Sequence, residues 1–375
     1  MHIVQFANFH LPTSGGIRVF LAETARRYVA AGHSVTQVLP GPTNRIERSA
    51  VGVSTIRVRG PVVPGLGGYR MVWDRRMLTA LVEHLGPDVV ELSDRTTMLC
   101  VADHARATGV PAVLIGHERL EAVTGHVMPV GGRATRAIVR HHSRRVARRV
   151  DAIVCASRFA AEEFETPGRT VVVGIPLGVD LEMFTPEDRC ASTAPGSSSD
   201  VIRLVSVVRL SPEKDPHLPI AIVDELVRRG RSVSLDVLGS GSLEGELRTA
   251  ARGLPVRFHG HVSDRAQVAS ALRSADVAIA PGPNETFGLA ALEALACGTP
   301  VVVPDRGALA EMVRPGVGLA VAPEPCAMAD AVEWLITNVD RRDCRTMAAE
   351  YPWSRTVSAL LDLFESLRMG RVAVA

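Results

Sequence analysis

Lysine is almost missing from this chain. Of its 42 basic residues, 41 are arginines and one is a lysine, Lys214. Aromatic residues make up only 4%, and the six cysteines (Cys100, Cys155, Cys190, Cys297, Cys326 and Cys344) are scattered without a C-x-x-C spacing. That scatter excludes a disulfide framework and a zinc ribbon and fits cytosolic thiols. No uninterrupted apolar run approaches the ~18 residues a spanning helix needs. The first residues, Met1-His2-Ile3-Val4-Gln5-Phe6-Ala7, carry neither a basic n-region nor a cleavage pattern, so no signal peptide is expected. Basic and acidic residues nearly balance, 42 against 40, which leaves no global field to recruit nucleic acid. The expectation is a cytoplasmic protein, with room for peripheral association on the inner face of the plasma membrane.

What is present is ample apolar material: 375 residues, 46% of them hydrophobic, enough for two domains with two cores. Short apolar strands alternate with amphipathic helices, the pattern of parallel sheets with helical crossovers. Strands are expected at 2–7, 34–39, 88–92, 111–115, 152–155 and 170–174, with helices at 17–31, 70–85, 96–108, 133–149 and 157–165. After a Pro/Ser/Gly-rich stretch at 186–200 the alternation resumes. Strands are expected there at 202–208, 233–238, 256–258, 277–280 and 300–303, and helices at 216–229, 264–273, 286–297 and 326–338. The reading is an α/β chain of two doubly wound, Rossmann-like domains, 1–185 and 201–350, facing a central cleft. The stretch 186–200 is a linker, and a terminal helix in 351–375 crosses back to the first domain. Ligands in such sheets bind at the carboxyl ends of the strands.

Three loops carry chemistry. Gly15-Gly16, between the first strand and the first helix, lets backbone approach an anion at a helix N-terminus, although an ordinary tight loop reads the same. In the second half, Arg209 follows a strand and Lys214 precedes the next helix; two cations there could neutralise a diphosphate, or Lys214 could simply pair with Glu213. The scarcity of lysine weighs toward the first reading, since a compact ammonium was retained where arginine replaced it elsewhere. Third, Glu285-Thr286-Phe287-Gly288-Leu289 opens a run ending in Glu293, eight positions on. On one continuous helix the two carboxylates would lie about 12 Å apart on one side. A carboxylate in the apolar run 289–296 needs partners: sugar or ribose hydroxyls on one reading, an arginine on the other.

Together, the E-x7-E spacing with Phe287-Gly288, the Gly298-Thr299-Pro300 ending, the Arg209/Lys214 pair and the Gly15-Gly16 loop resemble retaining glycosyltransferases of family 4, which have the GT-B fold. The likeness spans nearly the whole chain. Asn8-Phe9, Glu91–Arg95, His117–Leu120 and Pro281–Cys297 are most similar to actinobacterial phosphatidylinositol mannosyltransferases that use GDP-mannose. The resemblance implies that Arg209, Lys214, Gly15 and Gly16 bind the donor diphosphate. It further implies that Glu285, with the segment Thr286, Phe287, Gly288 and Leu289, holds the transferred sugar. Glu293 would take the ribose diol, and His117 would contact the sugar near its reacting carbon. It implies a nucleotide-sugar donor as substrate, no metal and no other cofactor. Three positions depart from the family pattern. Val208 precedes Arg209 where a glycine is common. Asp215 stands where a glycine commonly follows the lysine and could weaken the local positive field or cap the helix from 216. Thr286 replaces a commoner glycine or proline.

One further absence is local: no acidic residue lies between Glu121 and Asp151. Arg133, Arg136, Arg140, Arg144, Arg145 and Arg148 there alternate with Ile138, Val139 and Val146, giving a basic amphipathic helix. It could lie on anionic lipid, or pack its apolar side on the sheet and leave the arginines solvated. The Gly-rich loop Gly65–Arg70 could serve as an acceptor-side lid. The function expected is transfer of a hexose, implied to be mannose, to a glycolipid or other hydroxyl acceptor. A family-4 transferase for a soluble acceptor and a silent nucleotide-sugar-binding protein are the alternatives.

Overall fold

The computed structural model describes residues 1–11, 15–64, 68–120, 132–164, 170–186 and 201–370, the side chains of 132–134 and 136 excepted. Two compact units emerge: unit 1 comprises Met1–Pro176 and Trp353–Ala375, and unit 2 comprises Leu177–Pro352. The division falls after Pro176 because residues 177–186 are held by unit 2. Val179 N–H donates to Tyr351 O, and the Arg345 guanidinium donates to the carbonyls of Leu181 and Phe184. Most of the expected linker, 187–200, lies outside the described residues, as does the loop 65–67.

Unit 1 is built on an eight-stranded sheet. Its strands are β1 (His2–Phe6), β2 (Ser34–Gly41), β3 (Arg45–Arg48), β4 (Ser54–Arg59), β5 (Val89–Leu92), β6 (Ala112–Gly116), β7 (Ala152–Cys155) and β8 (Val171–Gly174). The order is β3-β4-β2-β1-β5-β6-β7-β8, parallel throughout except for the edge pair β3–β4. Helices α1 (Gly16–Ala30), α2 (Arg75–Leu85), α3 (Leu99–Ala107), α4 (Gly132–Ala147) and α5 (Arg158–Ala161) connect the strands. The central strands are buried on both faces, which is why they read as continuous apolar runs. β3 and β4 escaped the sequence reading because Arg45, Glu47, Arg48, Arg57 and Arg59 give this exposed edge no apolar signature. α2 begins at Arg75 rather than at 70: Asp74 caps it, accepting from Met77 N–H at 3.0 Å.

Unit 2 repeats the plan with six strands: β9 (Ile202–Val207), β10 (Val233–Leu238), β11 (Val256–Gly260), β12 (Val277–Ile279), β13 (Val301–Pro304) and β14 (Gly318–Val321). Their order is β11-β10-β9-β12-β13-β14, all parallel. The helices are α6 (Leu218–Arg228), α7 (Glu244–Ala250), α8 (Arg265–Ser274), α9 (Leu289–Ala296), α10 (Ala308–Met312), α11 (Pro325–Asn338) and α12 (Arg341–Ala348). In both units the strand order reverses beside the first strand, between β1 and β5 and between β9 and β12. Such a switch point leaves a crevice at the carboxyl ends of the strands.

The last helix, α13 (Trp353–Arg368), belongs to unit 1. Trp353 is fully buried, Phe364 packs against Tyr28 of α1, and Arg368 pairs with Asp88 at 2.7 Å.

Tyr28 also closes a polar cluster inside unit 1. Gln5 Nε2 donates to Glu91 Oε1 at 2.7 Å, Tyr28 donates to Glu91 Oε2 at 3.0 Å, and Gln37 donates to Gln5 Oε1 at 2.8 Å. Glu91 is 0% exposed and has no cation among these partners. Burial therefore pushes its carboxyl up to about 7, against the pull of the hydrogen bonds from Tyr28 and Gln5. The folded protein thus holds this proton more tightly than the unfolded chain. Its contribution to stability is full below about 4.5 and is lost as the pH rises through about 7. Relative to Glu91→Gln, the wild type should lose roughly 2–3 kcal/mol of unfolding free energy between about pH 5 and pH 8. Denaturant titrations at the two pH values measure this; a pH-independent difference would contradict the assignment.

Candidate active site

The switch point of unit 2 gathers the candidate residues. β9 ends at Val207; Arg209 follows it, and a 3-10 turn, Pro212–Lys214, presents the lysine. From the neighbouring strand β12 the chain runs through Pro281 and Gly282 to Glu285. Lys214 Nζ donates to Glu285 Oε1 at 2.9 Å, with the two side chains 16% and 30% exposed. Gly282 lies against both: a Cβ there would meet Glu285 Cγ at 3.2 Å and Lys214 Cδ at 3.5 Å. The lysine therefore pairs across the switch point rather than with its neighbour Glu213. Glu213 instead accepts from Ser211 at 2.5 Å and lies 3.8 Å from Arg209. Burial opposes ionisation of Glu213, but the Ser211 hydrogen bond and the charges of Arg209 and Lys214 outweigh it and hold the carboxyl below its usual range.

Asp215 follows with φ 46°, a left-handed backbone. That conformation explains why a glycine is common at this position and why aspartate, which tolerates it, can stand in. Asp215 is not the cap of α6, whose N-cap is His217.

The Arg209 loop is braced from beneath by Gly239-Ser240-Gly241, the turn after β10. Val208 N–H donates to Leu238 O and Leu210 N–H to Ser240 O. Gly239 has φ 152°, and a Cβ there would fall inside the Val208 carbonyl oxygen; a Cβ on Gly241 would meet Leu210 O. In the sequence this brace is a G-x-G directly after a strand.

Glu285 does not sit on a helix. α9 begins at Leu289, and its N-cap Gly288 has φ 96°, with Leu309 filling the space of a missing side chain. The spacing estimate that placed Glu285 and Glu293 on one continuous helix is corrected accordingly: the chain turns at Gly288 between them. Thr286 is half-buried in that turn, and Phe287 is buried with its ring 6.2 Å from Tyr351. Glu293, 4% exposed, accepts from Arg265 at 2.8 Å. The Arg265 guanidinium lies 4.7 Å over the Phe184 ring. Sequence reasoning left this arginine unnamed, because nothing in its spacing links α8 to α9.

In unit 1, Gly15 and Gly16 are exposed at the start of α1, whose first turn has no acidic residue. His117 follows β6 and shares a 2.8 Å hydrogen bond between Nε2 and Ser93 Oγ, with Phe20 edge-on at 5.0 Å. Burial and the Arg95 charge push its pKa down to about 3, so the ring is neutral near neutral pH. The segment after it is anchored by Glu163, which accepts from Arg95 at 2.5 Å, Ser143 at 3.0 Å and Leu120 N–H at 2.7 Å.

α4 exposes Arg140, Arg144 and Arg145, with Arg148 exposed just beyond its end; the side chains of Arg133 and Arg136 lie outside the described residues. Its apolar side, Val139, Val146 and Ala147, is buried in unit 1, while Ile138 is 50% exposed. Among the described residues no helix is long and apolar enough to cross a membrane.

Residues 14–183 match the family model described as Glycosyltransferase Family 4, and residues 192–350 the one described as Glycosyl transferases group 1. A GDP-mannose-dependent alpha-(1-6)-phosphatidylinositol dimannoside mannosyltransferase of Mycobacterium tuberculosis is 40% identical over 367 residues, covering 96% of this chain and 95% of that protein. The chain belongs to glycosyltransferase family 4. A D-inositol 3-phosphate glycosyltransferase of Geodermatophilus obscurus is 30% identical to the transferase, over 93% of this chain and 84% of that protein. The sucrose-phosphate synthase structure from Thermosynechococcus elongatus matches it with a TM-score of 0.74 at 19% identity, covering 98% and 99% of the two chains. Both units are Rossmann-like, as the GT-B fold requires.

The brace beneath the Arg209 loop gives a direct test of this geometry. Gly239→Ala should lower the melting temperature of the transferase by several degrees, since about 1–3 kcal/mol of overpacking falls on unyielding backbone. Gly245→Ala, on α7 with nothing within 4 Å, should leave it unchanged or raise it. Equal melting temperatures for the two variants would contradict the packing described.

Proposed function

We propose that this transferase moves mannose from GDP-mannose to a phosphatidylinositol mannoside, with retention at the anomeric carbon. The observation that carries the reading is the Lys214–Glu285 pair at the unit 2 switch point, in a chain 40% identical over nearly its full length to a GDP-mannose-dependent mannosyltransferase. The choice of donor base, sugar and acceptor rests on that similarity. The pair couples two demands of a nucleotide sugar: a cation for the diphosphate and a carboxylate for sugar hydroxyls. In the structure each partners the other across the switch point.

On donor binding, Lys214 and Arg209 neutralise the diphosphate as it takes up charge during departure, without calling on a divalent ion. The helix start at Gly15-Gly16 in unit 1 offers backbone amides to an anion. Glu285, freed from the ammonium, accepts from hydroxyls of the mannose. Glu293, oriented by Arg265, takes the ribose diol. Neutral His117 in unit 1 is a hydrogen-bonding group for a hydroxyl. The anomeric carbon–oxygen bond to the β-phosphate breaks, the acceptor oxygen bonds to the same face, and the acceptor's proton passes to the departing phosphate oxygen.

The buried apolar side of α4 favours one part of the second reading, a soluble acceptor: this helix cannot insert an apolar face into lipid while it packs in unit 1. Contact with anionic lipid would run through the arginine face alone and should vanish at high salt. Sedimentation with anionic vesicles at low and high salt separates the cases, and an enzyme for a soluble acceptor stays in the supernatant at both.

Lys214→Ala should raise the barrier to turnover by roughly 2–4 kcal/mol, comparable to the loss of one oxyanion donor. Glu285→Gln should reduce kcat more than GDP affinity, and Glu293→Gln should do the reverse. Steady-state rates with GDP release, paired with GDP binding isotherms, measure all three. Near-normal turnover in Lys214→Ala would remove the diphosphate assignment, and an inverted pattern for the glutamates would exchange their roles.

A further inference from the structure

Gln37, Gln5 and Glu91 form one row across the middle of the unit 1 sheet. They are register partners on β2, β1 and β5, and their neighbours on the same face, Ile3, Val35, Leu39 and Val89, are buried and apolar. The row is bonded to α1 at three positions along one side of that helix. Gln37 Nε2 donates to Leu21 O at 3.0 Å, Gln5 Nε2 to Thr24 Oγ1 at 3.0 Å, and the Tyr28 hydroxyl to Glu91 Oε2 at 3.0 Å. Gln5 gives its other amide hydrogen to Glu91 Oε1, and Gln37 gives its other one to Gln5 Oε1. Both amides are therefore saturated, and Glu91 is the member of the row whose bonding changes with a proton. Among the described residues, none of its partners carries a charge. β6 presents Val113 beside it, α13 presents Phe364 to Tyr28, and Glu23, Arg26 and Arg27 of α1 pair with one another. Burial, then the neighbouring carboxyl, holds the Tyr28 phenol well above its usual range, so it stays neutral. Ionised, Glu91 would be a carboxylate, 0% exposed, facing neutral groups alone.

α1 carries the state of this row to the carboxyl edge of the sheet. Thr24 Oγ1 donates to Phe20 O at 2.8 Å, and the Phe20 ring lies edge-on to His117 at 5.0 Å. Ser93, which bonds His117, stands two residues beyond Glu91, about 7 Å along the chain. We propose that Glu91 is a positioning residue that sets α1 for sugar transfer and releases it when its carboxyl ionises. The proposal rests on the role proposed above for His117 and deepens it by adding control by pH. Protonated, the row holds α1 on β1, β2 and β5, and the Phe20 ring backs the imidazole. Ionised, the buried carboxylate needs water, and the row admits water only as α1 draws back from the sheet. Burial raises this carboxyl to about 7, so the protein crosses between the two arrangements near neutral pH.

Hydrogen exchange of the α1 amides at about pH 6 and pH 8, corrected for the intrinsic pH dependence of exchange, tests the hold on the helix. The carboxyl titrates at about 7 in the row and at the ordinary 4.5 once α1 is away. Protection from Thr24 to Tyr28 should therefore fall about tenfold in the wild type between the two pH values. It should stay level in Glu91→Gln, whose amide accepts from Gln5 and donates to Tyr28 at either pH. An equal change in the two proteins overturns the proposal. The second readout is kcat with GDP-mannose and a phosphatidylinositol mannoside. The wild type should lose at least about threefold over the same interval, since small misplacements of contacting groups are costly, and Glu91→Gln should not. GDP affinity should not follow the loss, whereas general unfolding would lower rate and affinity together. A fall in kcat shared by both proteins, or none in the wild type, overturns the positioning role. If the wild type transfers no mannose at either pH, the proposed function fails, and exchange in α1 still decides whether Glu91 holds the helix.

Discussion

A parallel sheet that winds outward in both directions from its first strand must leave a gap where the winding reverses, and in this chain the main candidate groups of each unit hang from that gap. In unit 2 the loops after β9 and β12 bring Lys214 within 2.9 Å of Glu285. In unit 1 the loops after β1, β5 and β6 bring together Asn8, Ser93 and His117: Asn8 donates to Asp94 at 3.2 Å, and Ser93 bonds His117. The crossover helices that force the parallel arrangement also cover both faces of each sheet, so the carboxyl edge is the surface left for chemistry. The architecture dictates where function can lie before any side chain is chosen.

The side chains then solve an electrostatic problem. A diphosphate needs concentrated positive charge, yet a half-buried ammonium without a partner is costly. Lys214 is partnered by Glu285, and Glu293 by Arg265, so neither charged group is buried alone. Glu91 shows the contrasting solution: a carboxyl buried with neutral donors only, its proton retained to about neutral pH.

Much of this was legible in the sequence, for reasons that can be named. Buried strands announce themselves as apolar runs, so β1, β5, β9 and β12 fell where expected. The uniqueness of Lys214 among arginines drew attention to the loop that pairs with Glu285, and the E-x7-E spacing drew attention to Glu285 and Glu293. What stayed hidden was set by contacts remote in sequence or by backbone conformation. The partner of Lys214 lies 71 residues away. Arg265 approaches Glu293 only because α8 and α9 pack together. The break at Gly288, which takes Glu285 off the helix, depends on a φ of 96° that a helix-period count cannot see. The charged edge β3–β4, which carries Arg57, lacks the apolar rhythm by which strands are read.

The central claim is that Lys214 trades Glu285 for a donor phosphate. Calorimetric titration of the wild type and Lys214→Ala with GDP and with GMP, in the presence of EDTA, tests it most directly, because the two nucleotides differ by the β-phosphate alone. The account predicts that the wild type binds GDP at least about tenfold more tightly than GMP, about 1.4 kcal/mol, and that most of this advantage disappears in Lys214→Ala. Equal affinity for the two nucleotides in the wild type, or a preference that survives removal of the lysine, would contradict it.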